Sequence, residues 1–100
     1  MSYQRISIDA AEQLLATTDA TLLDIRDKQS FDAGSVTNAL HVTNENVESV
    51  IATADKEKPL IIYCYHGNSS QGAADYFFNM GFKQAFSVDG GFEEWKLKLV

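Results

Sequence analysis

The stretch Leu60-Ile61-Ile62-Tyr63-Cys64-Tyr65-His66-Gly67-Asn68-Ser69-Ser70 decides the fold. Its first four residues are apolar without alternation, the pattern of a strand covered on both faces. Pro59 stands immediately before them, where its missing N–H breaks no ladder. After Tyr63 the chain turns small, polar and flexible. Ala73, Ala74, Phe77 and Phe78 then recur at helical spacing as far as Gly81, which suits a C-terminal cap. A buried strand feeding a helix through a short loop is the elementary unit of a parallel α/β sheet. Ligands of such sheets bind beyond the carboxyl ends of the strands, so Cys64 and the loop behind it stand where chemistry is expected.

The same alternation extends in both directions. Apolar runs at Ile6 to Ile8, Leu22 to Ile25, Ala39 to Val42 and Phe86 to Val88 join 60–64 as five predicted strands. A helix is predicted after Asp9, with Glu12 three positions on as a capping-box variant and Ala11, Leu14 and Leu15 on one face. Another follows Asn44, with Val47, Val50, Ile51 and Ala54 at helical spacing. The last starts near Gly91 and sets Phe92, Trp95 and Leu99 on one side. The expected architecture is a three-layer α/β fold: a central, mainly parallel five-stranded sheet with helices on both faces. One hundred residues, 45% of them hydrophobic, suffice for one core and not two, which predicts a single domain over 1–100.

The net charge of −6 argues against nucleic acid and anionic membrane surfaces as partners, because both bind through basic patches. It also repels small anions, so an anion site here must rely on local amides or a helix dipole. No apolar stretch near the N-terminus is long enough for a signal peptide or a membrane span, and a cytoplasmic location is expected. His41 has no Cys, Asp or second His at ligand spacing, so it reads as structural and no metal site is expected. No Gly-rich nucleotide fingerprint follows any strand, and no cofactor is expected.

Cys64 is the only cysteine, which excludes an internal disulfide. Two readings of it stand. It is either an inert thiol at the end of a buried strand, or a nucleophile activated without a base by loop amides and the positive end of the next helix. The run Gly67-Asn68-Ser69, whose backbone can curl around a central atom, favours the second. Asp24 and Arg26, at the carboxyl end of the second strand, read as an ion pair more readily than as substrate-facing groups. Gly90 and Gly91 read as a turn opening the last helix, and Trp95 as core.

Three ordered motifs resemble the rhodaneses, and within them the single-domain thiosulfate sulfurtransferases associated with glycerol metabolism. Residues 64–70 look like that subgroup's active-site loop. Leu23-Asp24-Ile25-Arg26 followed by Phe31 and Gly34 resembles the family's first motif, and Asp89-Gly90-Gly91-Phe92-Glu93-Glu94-Trp95 its last. Departures are Ser35, where the family usually has histidine, and Tyr65 and Ser69, where many rhodanese loops carry arginine; that leaves His66 as the only loop side chain able to become cationic near neutral pH. The resemblance implies that Cys64 takes the outer sulfur of thiosulfate, or of another sulfane-sulfur donor, as a persulfide. Cyanide or a thioredoxin-like dithiol then removes it. It also implies a substrate-binding loop of Tyr65, His66, Gly67, Asn68 and Ser69, whose backbone N–H groups steady the sulfur anions. A phosphatase or arsenate reductase of the same fold would need an arginine at position 70, which is Ser70. A non-catalytic binding module of this type often lacks the cysteine that this chain keeps.

Overall fold

The structure is a computed structural model and describes residues 3–99. Five strands, β1 (Gln4–Ile6), β2 (Thr21–Asp24), β3 (Leu40–His41), β4 (Leu60–Tyr63) and β5 (Ala85–Val88), form one sheet in the order β1-β5-β4-β2-β3. Every pairing is parallel, with Leu22 opposite Ile61 and Ile61 opposite Phe86. β4 lies at the centre and all four of its residues are buried, as its unalternating sequence predicts.

The pleat splits this strand between two cores. Leu60 and Ile62 join Leu23, Val42, Val50, Ala74, Phe77 and Phe82 beneath α3 (Val47–Thr53) and α4 (Ser69–Asn79). Ile61 and Tyr63 join Leu22, Phe86, Val88 and Trp95 on the opposite face, beneath α1 (Ile8–Thr17) and α5 (Gly91–Trp95). The arrangement is the expected three layers. No helix among the described residues is long and apolar enough to cross a membrane.

Three local expectations are corrected. The cap of α1 is Ser7, whose hydroxyl accepts from the Ala10 amide, so the helix begins at Ile8 and not after Asp9. A further helix, α2 (Lys28–Ala33), follows β2; Asp27 caps it by accepting from the Ser30 amide, and none of its residues is buried. It has no apolar stripe to announce it. After Trp95 the chain tightens into a 3-10 turn over Lys96–Lys98, which turns Leu99 outward, 46% exposed, away from the core expected for it.

Candidate active site

β4 delivers Cys64 to the carboxyl edge of the sheet, and the loop behind it closes onto the first turn of α4. Cys64 is buried, so its sulfur forms the floor of the loop. The Sγ accepts hydrogen bonds from the Gly67 amide at 3.2 Å and the Ser70 amide at 3.3 Å, and Ser70 Oγ lies 3.4 Å away. The Ser70 donor belongs to the N-terminal turn of an eleven-residue helix, whose free amides and dipole favour negative charge. Burial pushes the Cys64 thiol up. The Ser70 hydroxyl and the amides of Ser70, Gly67 and His66 outweigh that and hold it below the ordinary thiol range.

The ring of donors is fixed by backbone contacts that only glycine permits. Gly67 has φ 93°, and a β-carbon there would stand 3.0 Å from the Gly90 nitrogen and 3.1 Å from the Val88 oxygen. Gln71 Nε2 holds the Gly67 carbonyl at 2.9 Å and is itself steadied by Tyr3, whose hydroxyl donates to Gln71 Oε1. On the other side, Phe92 and Glu93 at the start of α5 donate to the carbonyls of Cys64 (2.8 Å) and Tyr65 (3.0 Å). Gly90 and Gly91 do make the expected turn and open the last helix, both with positive φ. They also brace the cysteine loop.

Among the five loop residues expected to bind substrate, Gly67 is buried and its amide reaches the sulfur, while the His66 amide contributes to the thiol's acidity. Tyr65, His66, Asn68 and Ser69 are exposed and form the rim. The Tyr65 hydroxyl is tied to Ser30 Oγ at 3.1 Å and the Asp27 amide at 3.4 Å, which links the rim to α2. The residue that closes onto Sγ from the helix is Ser70, one position beyond the expected set, and Ser87 of β5 stands behind it at 2.7 Å. Ser70 continues the small, polar run of Gly67-Asn68-Ser69, and that run is its sequence signal. Ser87 has no local signal, since the loop and β5 meet only in the folded chain.

Asp24 and Arg26 form a buried ion pair, 2.7 Å between Arg26 Nη2 and Asp24 Oδ2, with Arg26 Nη2 also donating to the Gly34 carbonyl at 2.6 Å. Burial works against the guanidinium charge, and the hydrogen bonds and charge of Asp24 more than restore it. The face of Phe92 covers the guanidinium at 4.0 Å, so the first and last sequence motifs meet here. His41 is structural as expected: it stacks on Phe31 and its Nε2 bonds the Arg26 carbonyl at 2.6 Å. A separate groove of about 620 Å³ opens between β2, α3 and α4, lined by Ile25, Val42, Val47 and Phe77 among others, and Cys64 does not line it.

A parallel α/β sheet that sets a thiol at the end of its central strand, within a cradle of backbone amides, defines an α/β domain with an amide-cradled cysteine. Residues 7–98 match the family described as the Rhodanese-like domain. The chain is 47% identical over 95 residues to a thiosulfate sulfurtransferase GlpE of Pseudomonas aeruginosa, covering 95% of this chain and 86% of that one. It is 46% identical over 94 residues to a protein of the same name from Tolumonas auensis, covering 94% and 89%. Among solved structures, a rhodanese-related protein from Thermoplasma volcanium superposes with a TM-score of 0.79 at 22% identity, covering 96% of this chain and 93% of the other, and shows the same fold. The chain belongs to the rhodanese-like domain family.

Proposed function

We propose that this protein is a thiosulfate sulfurtransferase formed by a single domain over 1–100, in which Cys64 carries the sulfur. The observation that carries the reading is the Cys64 Sγ held by the amides of Gly67 and Ser70, in a family member close in sequence to proteins named for this activity. In the first half-reaction the Cys64 thiolate attacks the outer sulfur of thiosulfate. The sulfur–sulfur bond of the donor breaks, sulfite leaves with its electron pair, and a persulfide remains on the enzyme. In the second, cyanide or one thiolate of a dithiol attacks the outer persulfide sulfur, and Cys64 departs as a thiolate. No general base is needed, because nucleophile and leaving group are the same amide-stabilised anion.

The exposed rim of Tyr65, His66, Asn68 and Ser69 is the surface over which donor and acceptor enter. The protein's net charge repels the thiosulfate dianion, so attraction falls to the loop amides, the α4 N-terminus and His66. A thiol that must stay reduced suits the cytoplasm, with a thioredoxin-like dithiol as acceptor. The test is thiocyanate formation from thiosulfate and cyanide by the parent and by Cys64→Ser, beside phosphate release from an aryl phosphate. The parent makes thiocyanate by ping-pong kinetics and releases no phosphate, and the folded serine variant produces neither thiocyanate nor phosphate. Phosphate release would favour a phosphatase, and inactivity of the parent in both assays a binding module.

A further inference from the structure

Ser87 is out of keeping with its place in the fold. β5 is buried along its whole length; Phe86 and Val88 enter the core beneath α1 and α5, while Ala85 enters the one beneath α4. Alternation puts Ser87 on the Ala85 side, fully buried, where an apolar residue would be the ordinary choice. A buried hydroxyl is costly unless it is hydrogen-bonded. The partner here is Ser70 Oγ at 2.7 Å, also fully buried, and Ser70 Oγ lies 3.4 Å from Cys64 Sγ. The three polar atoms form a chain running from the sheet to the sulfur, with both hydroxyls fully buried.

The charge on the sulfur sets the direction of this chain. As a thiol, Cys64 Sγ donates to Ser70 Oγ; once ionised it only accepts, so Ser70 turns its hydrogen toward Sγ and offers a lone pair to Ser87, which donates to it. Each donor polarises the next, and a dry surrounding strengthens the effect. We infer that Ser87 is a positioning residue for sulfur transfer, holding the Ser70 hydroxyl as a donor to Sγ and so favouring Cys64 as a thiolate. The inference rests on the sulfur-transfer reading for its functional meaning. Its physical content, the acidity of Cys64, is measurable without any transfer.

The experiment is the rate of alkylation of Cys64 by iodoacetamide as a function of pH, followed by intact mass, for the parent, Ser87→Ala, Ser87→Thr and Ser87→Val. Threonine and valine have the same shape and differ in hydroxyl against methyl, so any overcrowding cancels between them. The alanine and valine proteins are expected to titrate about half to one pH unit higher than the parent, or about three- to tenfold slower alkylation at a pH below the midpoint. The threonine protein stays with the parent. In a Ser70→Ala background, Ser87→Ala is expected to add no further shift, because the intermediate hydroxyl is gone. If the larger residues prevent folding, the alanine cycle decides alone. A Ser87→Ala profile identical to the parent, a shared profile for threonine and valine, or an undiminished shift without Ser70 would overturn the inference. Failure of the sulfurtransferase reading would appear elsewhere, as a parent that alkylates normally and transfers no sulfur.

Discussion

Gly91→Ala tests whether the start of α5 braces the cysteine loop or merely follows a turn. Gly91 has φ 61°, and a β-carbon there would lie 2.5 Å from the Tyr65 oxygen and 2.7 Å from the Cys64 oxygen. Both neighbours are backbone, so neither can swing aside as a side chain does. Holding an L-residue in the left-handed region costs roughly 1–2 kcal/mol. The forced separation also strains the hydrogen bonds from Phe92 to Cys64 and from Glu93 to Tyr65, each contributing about 1 kcal/mol net. Together these give a destabilisation of about 3 kcal/mol, or a Tm lowered by roughly 10–25 °C for a domain of this size. Gly72→Ala is the internal control. It lies within α4 with nothing within 4 Å of its added carbon, and is expected to stabilise the protein by about 1 kcal/mol. Thermal unfolding followed by circular dichroism reads both, and the alkylation rate of Cys64 reads the loop. A Gly91→Ala protein with the parent's Tm and the parent's Cys64 reactivity would refute the bracing argument.

Two further outcomes follow from the same geometry. The folded-state acidity of Cys64 is raised, its pKa lying below the unfolded value, so the native protein binds fewer protons than the unfolded chain in the window between the two. Stability relative to Cys64→Ser is therefore expected to be fully present above the usual thiol range and to fall as pH falls through the folded pKa, in urea titrations at a series of pH values; a difference independent of pH would contradict the thiolate. Arg26→Met leaves the fully buried Asp24 carboxylate without its cation, and is expected to cost about 3–5 kcal/mol by the same denaturant measurement; a loss below about 1 kcal/mol would show that the pair does not anchor the loop after β2.

The sheet was legible because its strands carry their own signature. Leu60 to Tyr63 cannot be a half-exposed strand, and Ala73, Ala74, Phe77 and Phe78 describe the helix that covers it. α2 was not legible from periodicity, since it buries no residue; its cap, Asp27 with Ser30, was the only available signal. Leu99 fitted the stripe of Phe92 and Trp95, but that stripe assumed an α-helix continuing where the backbone tightens. In the loop, Cys64 is marked by its position at a strand end followed by flexible residues, whereas the donors at 65–69 rest on the family resemblance. The geometry around the sulfur depends instead on contacts from distant segments: Gly90 against Gly67, the α5 amides on the Cys64 and Tyr65 carbonyls, and Ser87 behind Ser70. Such contacts have no local pattern, so a sequence reading locates the nucleophile but not the groups that tune it.

The central claim, that Cys64 carries sulfur covalently, is tested most directly by intact mass after incubation with thiosulfate and removal of small molecules, under non-reducing conditions. The parent is expected to gain the mass of one sulfur atom, with sulfite released in equal amount, and cyanide is expected to return the protein to its starting mass while forming thiocyanate. Cys64→Ser gains nothing. Oxidation of the thiol to the sulfinic acid adds two oxygens, which low mass resolution confuses with one sulfur, but cyanide does not reverse it. A folded, reduced parent that acquires no cyanide-reversible sulfur from thiosulfate or any other sulfane donor would contradict the account.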